Sequence, residues 1–148
     1  MDSPITSPLH VQAWPDTVIE RLGHEPTSEY FEWPWLPRVG PSGAWAYRRL
    51  TAGLVTQPDG FDIRLDELGH WIGLGGTGQH SPIVRSLRRL VTFGLALQVD
   101  DHTLALLRRV PPLTLPQLRR LSPVLQAMHL RLTDNAGTTG GLDAAVAS

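Results

Sequence analysis

Between Gly75 and Val110 the chain reads GGTGQHSPIVRSLRRLVTFGLALQVDDHTLALLRRV, and this stretch leaves few folds open. Pro82 has no N–H to give, so it suits the first position of a helix, where that donor would lack a partner anyway. Ser81 before it is a preferred N-cap residue, which fixes a helix start here. At about 100° per residue, Ile83, Val84, Leu87, Leu90, Val91 and Gly94 share one side of this helix, and Arg85, Arg88, Arg89 and Thr92 share the other. One face packs while the other is cationic. Downstream, LALQV and TLALL are rich in strand formers and flank Asp100, Asp101 and His102, which predicts a hairpin.

A chain of 148 residues that is 41% hydrophobic can bury one core and is expected to form one domain with tails. With no cysteine it has neither a disulfide framework nor a thiolate metal site. No apolar run reaches the roughly 18 residues of a membrane span, and MDSPITSPLH lacks the basic and apolar regions of a signal peptide. A soluble cytoplasmic protein is the expectation. Its net charge of −1 conceals a segregation. Residues 1–32 carry Arg21 against six acids, residues 33–131 carry twelve arginines against six acids, and the rest adds only Asp134 and Asp143. The expected domain is therefore basic and its arms acidic. Every cation is arginine, which suits bidentate contacts to phosphate or guanine and is equally the product of a GC-rich coding sequence.

Residues 1–29 hold Pro4, Pro8, Pro15 and Pro26 among polar and acidic residues, which predicts a mobile acidic arm with one short helix from Asp16 to Leu22. Such an arm is either a solvated tail or a competitor that folds back over the basic domain. The run YFEWPWLPRVGP, Tyr30 to Pro41, sets four aromatics among three prolines and is expected to be an irregular lid. A helix follows, capped by Ser42, with Ala46, Tyr47, Leu50 and Leu54 inward. Gly53 and the run Gln57-Pro58-Asp59-Gly60 end it. Phe61 to Leu65 alternates apolar and polar as a short strand does, and Asp66 caps a second helix whose Leu68, Trp71 and Ile72 are expected to face inward.

Helix, strand, helix, glycine-rich turn, helix and hairpin follow one another from Ser42 to Val110, and in this order the chain resembles the winged helix-turn-helix superfamily. The turn from Gly73 to His80 is longer than that superfamily's usual one. The resemblance implies an α+β fold, mostly helical, with residues 30–132 as a winged-helix domain comprising the aromatic lid and a C-terminal helical extension. In that extension Thr114 or Leu115 caps a helix opening at Pro116. Leu118, Leu121, Leu125, Met128 and Leu132 make a heptad-like seam that Pro123 interrupts. The seam either joins two copies, through Leu118, Leu121, Leu125 and Met128, or covers the domain's own core. Residues 133–148 are expected to be disordered.

Nothing in the sequence looks catalytic. Gly73-Leu74-Gly75-Gly76-Thr77-Gly78 satisfies G-x-G-x-x-G, but the preceding DELGHWIG is too polar for a buried parallel strand, and too little chain follows for a doubly wound sheet. Those glycines either present N–H groups to a phosphate or only connect two helices. The six histidines form no H-x-x-x-H pair and there is no G-x-S-x-G elbow. No enzyme activity, cofactor or metal is expected.

The winged-helix resemblance implies instead a DNA-binding regulator of transcription or replication on double-stranded DNA. Arg85, Arg88, Arg89 and Thr92 would meet the major groove, and Ser81 and His80 a phosphate at the helix start. Arg108 and Arg109 of the wing, with Arg48 and Arg49 of the first helix, would flank them. The alternative is a winged-helix scaffold that binds protein rather than DNA.

Overall fold

The structure, a computed structural model, describes residues 3–76 and 78–134. It is an α+β fold in which helices pack on a four-stranded mixed sheet. In chain order the elements are β1 (Leu9–Ala13), α1 (Thr17–Leu22), a π-helical turn (Phe31–Trp35), α2 (Leu36–Thr56), β2 (Phe61–Ile63), α3 (Leu65–Trp71), α4 (Pro82–Thr92), β3 (Ala96–Asp100), β4 (Thr103–Leu106) and α5 (Leu115–Arg119). A last helix, α6, spans residues 123–134.

The predicted N-terminal arm is instead part of the sheet. The strand order is β2-β1-β4-β3, so β1 lies between two partners, antiparallel to β2 and parallel to β4. The physical cause is the alternation in LHVQA: Leu9 and Val11 point into the core and are fully buried, while His10 and Gln12 stay half-exposed. Ile5, also buried, extends the attachment. Its backbone is clasped by the Gln79 side chain, whose Oε1 accepts from Ile5 N at 2.9 Å and whose Nε2 donates to Ile5 O at 2.8 Å. The short helix expected after Asp16 is present as α1, with the Asp16 carboxylate accepting from the N–H groups of Val18 and Ile19.

The expected irregular lid is helical. Phe31–Trp35 forms a π turn that runs directly into α2, and Pro37 sits in the first turn of α2, where its missing N–H is harmless. The break falls at Gly40, whose φ of 79° is a left-handed conformation that only glycine adopts at little cost, and Pro41 reopens the helix. Phe31 and Trp35 are buried, and the Trp35 indole N–H donates to Pro111 O at 3.1 Å. Further along α2, a Cβ on Gly53 would stand 2.6 Å from the Phe61 ring, so glycine there lets β2 close against the helix.

The core gathers Leu9 and Val11 of β1, Leu104 and Leu106 of β4, Tyr47, Leu50 and Leu54 of α2, and Ile83, Val84, Leu87 and Leu90 of α4. The Tyr47 hydroxyl donates to Leu107 O inside it. The second predicted helix is α3, which starts two residues early, with Arg64 rather than Asp66 at its cap; Trp71, expected inside, is 44% exposed.

The leucine seam turns inward. Leu121 is buried, and Leu118 and Leu125, partly buried, pack against the same core; Met128 is half-buried. Thr114 caps α5 through a full capping box with Gln117, and α6 begins at Pro123. Of the expected disordered tail, Thr133 and Asp134 are helical and residues 135–148 lie outside the described residues.

A small aromatic cluster fastens α6. Leu113 N donates to the Tyr30 hydroxyl at 2.8 Å, so that hydroxyl gives its own proton to His129 Nε2, also at 2.8 Å, while His24 stacks on the Tyr30 ring at 3.8 Å. Burial lowers the pKa of both histidines, and nearby Arg109 and then His129 lower that of His24 further; burial raises that of Tyr30. Histidines whose folded pKa lies below the unfolded value of about 6.5 take up protons on unfolding. Stability from this cluster is therefore complete above that pH and is lost as the pH falls toward the lowered values. The urea midpoint is expected to drop between pH 7.5 and 5.5, and the drop should shrink in a His24→Gln/His129→Gln variant; an equal drop in the variant would assign the effect to other groups.

Candidate nucleic-acid interface

α4 forms as its pattern dictates: Ile83, Val84, Leu87 and Leu90 are buried on one side and the arginines lie on the other, with Ser86 buried as well and donating to Ser42 Oγ at 2.8 Å. Ser81 takes the N-cap position, but its Oγ is buried without a hydrogen-bond partner and gives no side-chain cap. His80, Arg85, Arg89 and Thr92 are exposed.

The three helix arginines differ in circumstance. The Arg85 side chain makes no hydrogen bond or ion pair among the described residues and stands between two shallow grooves. One, of about 320 Å³, is lined by Pro4, Gln79, His80, Arg85 and Arg88; the other, of about 210 Å³, by Ser42, Pro82, Arg85, Ser86 and Arg89. Arg88 is tied down, donating to Ser3 O at 2.9 Å and to Gln79 Oε1 at 2.8 Å. Arg89 lies over Gly40 and donates to Arg38 O at 3.0 Å.

This last contact brings in two arginines that the sequence reading passed over. The Arg38 guanidinium lies 5.1 Å from the ring centres of both Trp35 and Phe93, and Arg89 also approaches Phe93, at 5.8 Å. Burial, and then the like charge of Arg120, lower the Arg38 pKa, and its Nε is buried without a partner. The two aromatic faces are the compensation the site offers this cation. Arg38, Arg85 and Arg89 thus lie at α4, with Arg120 close enough to Arg38 to be felt by its charge, and none of the four has a carboxylate within ion-pair distance among the described residues.

The remaining arginines of the sequence reading go elsewhere. Arg108 is paired to Glu20 of α1 and Arg109 to Glu25 at 3.6 Å. Arg48 donates to Pro26 O at 2.9 Å, approaches Glu32 at 3.9 Å and lies against the Phe31 and Trp45 rings. Arg48 and Arg108 line a groove of about 500 Å³ to which α4 contributes nothing. The expected patch joining the helix to wing arginines is therefore not formed, because acids of the supposed arm, Glu20 and Glu25, are the counterions of Arg108 and Arg109, and Glu32 just beyond it that of Arg48. Arg49 is exposed, and its guanidinium lies 5.8 Å from the Trp45 ring. The tip of the β3–β4 hairpin is acidic: Asp100 accepts from His102 N at 2.9 Å, and hydrogen bonds from the His102 backbone and the Thr103 side chain hold its pKa low.

Among the described residues no three histidine or acidic side chains converge as a metal site would require, and no helix is long and apolar enough to cross a membrane. Comparisons with protein-family models, curated proteins and solved structures return no match for the chain.

Proposed function

We propose that the protein binds double-stranded DNA through α4, on a winged-helix plan with an added strand. The order α2, β2, α3, glycine-rich turn, α4 and the β3–β4 hairpin supports the plan, and β1, lodged between β2 and β4, is the addition. The observation that carries the reading is that Arg85 and Arg89 of α4, Arg38 against them and Arg120 near Arg38 have no acid partner among the described residues, while Arg48, Arg108 and Arg109 have theirs. Like charges held together on a surface are unfavourable unless a polyanion joins them, and release of that polyanion's counterions supplies the driving force. An α4 of 11 residues is about 16 Å long, enough to lie along a major groove with Arg85 and Arg89 directed at phosphates or base edges. The acidic hairpin tip stays clear of the backbone in this reading, so binding rests on α4 and the Arg38 and Arg120 beside it.

The test is a titration of random duplex DNA over a range of salt concentrations. Arg85→Ala/Arg89→Ala is expected to weaken binding at least about tenfold at low salt and to flatten the log–log salt slope by about 1.8, two phosphate contacts' worth. Both residues are exposed, so the fold is kept. Arg108→Ala, whose charge is already paired, should leave DNA affinity as it is. Unchanged binding in the double variant, or a loss in Arg108→Ala equal to it, overturns the proposal.

A further inference from the structure

Away from the arginine group, α2 and α3 share a face that no part of the described chain covers. Trp45, Arg49, Ala52 and Thr56 recur at intervals of three and four along α2, and Trp71 and Ile72 join them from the end of α3. Trp45 is 51% exposed and Trp71 44%. Two adjoining hollows mark the surface, one of about 440 Å³ lined by Arg49, Ala52, Gly53, Thr56 and Trp71, the other of about 240 Å³ lined by Trp45, Arg49, Trp71 and Ile72. Arg49 and Trp71 border both, so a cation and an indole divide one hollow from the next. The Arg49 guanidinium lies 5.8 Å from the Trp45 ring and has no carboxylate within ion-pair distance among the described residues.

Two half-exposed indoles around an arginine combine the residue types that dominate binding energy in protein interfaces. Whatever covers them also takes the Arg49 charge out of water, which is costly unless an anion comes with it. The occupant must therefore bring large apolar groups for the hollows and an acid for the ridge between them. The neighbouring charges limit how acidic it is: Glu67 lies one turn before Trp71 on α3, and Asp59 follows shortly after Thr56, both exposed. A phosphate backbone would meet these carboxylates as well as Arg49, whereas a lone carboxylate among apolar side chains would not. The face is made of helix flanks whose backbone groups are already bonded, so an added strand would gain no main-chain hydrogen bonds and recognition has to be by side chains. An amphipathic helix supplies that, with side chains one turn apart.

We propose that the Trp45–Arg49–Trp71 surface docks an amphipathic helix of a partner protein that carries a carboxylate between two large apolar side chains one turn apart. This surface is independent of α4 and does not rest on the DNA reading.

The experiment uses the full chain and three probes: a synthetic helical peptide of about 16 residues with leucines at such a spacing and a glutamate between them, the same peptide with glutamine for glutamate, and single-stranded oligo(dT). The readout is the indole N–H resonances, assigned with Trp45→Phe and Trp71→Phe. The glutamate peptide is expected to shift the Trp45 and Trp71 signals and leave that of buried Trp35 in place. Either the glutamine peptide or Arg49→Ala should weaken binding about tenfold or more, the scale of a hydrogen bond to a charged group. Arg49 is exposed and its loss leaves the core untouched. No shift of the two signals at millimolar glutamate peptide overturns the proposal. So does equal binding of the two peptides, or a response to oligo(dT) in place of the peptide.

Discussion

Leu9→Ala is expected to lower the unfolding free energy by about 2–5 kcal/mol, the usual cost of truncating a buried leucine. Against a total of about 5–15 kcal/mol for a domain, this is a large share. Leu9 is 1% exposed and pairs with Ile63 on β2, within a strand whose other edge is bonded to β4 from His10 to Ala13. A void there touches strands from both ends of the chain. Urea unfolding followed by tryptophan fluorescence and by far-ultraviolet circular dichroism should show one transition moved to lower denaturant in both signals. A change under about 0.5 kcal/mol, the ordinary result of a surface substitution, would return this segment to the status of a tail.

Trp35→Ala is expected to cost about 3–5 kcal/mol and to disturb the cation group as well. The indole is 1% exposed, its N–H satisfies Pro111 O, and one face carries the Arg38 guanidinium. Removing it leaves a cavity, an unpaired carbonyl, and a half-buried cation beside Arg120 with only the Phe93 ring for company. Trp35→Phe separates these effects. A phenyl ring keeps most of the volume and a face for Arg38 but cannot donate to Pro111 O, so the milder variant should lose about 1–3 kcal/mol. If the two variants prove equally stable, the packing assigned to this indole is wrong.

How far the sequence could be read depended on whether the signal was local. Pro82 after Ser81, and the spacing of Ile83, Leu87 and Leu90, identify α4 and its buried side, since both the start signal and the periodicity lie within one helix. The hairpin and the order of elements from α2 to β4 were legible for the same reason. LHVQA also carries a strand's alternation, but only five residues of it, set between Pro8 and Pro15 in acidic surroundings. Its partners are distant in sequence, and no composition argument reveals them. The proline-rich YFEWPWLPR looks unhelical because prolines usually break helices; here one sits in a π turn, another in the first turn of α2, and Gly40 absorbs the kink.

The candidate site was half legible. Arg85 and Arg89 follow from helical periodicity. The fates of Arg108, Arg109 and Arg48 do not, because a tally of charge along the chain cannot say that Glu20, Glu25 and Glu32 are their counterions. Arg38 and Arg120 were missed since they reach α4 only through tertiary packing, one from the start of α2 and the other from the end of α5.

The central position of β1 fixes the timetable of folding. Its parallel register joins His10 to Thr103 and Ala13 to Leu106, so β1 stays unmatched on one edge until the chain has been made through β4. A nascent chain halted before Thr103 offers β1 no strand partner but the three residues of β2. Closing so long a loop before any contact rewards it slows the search for the native state. The sheet is thus committed to closing late, once its fourth strand exists.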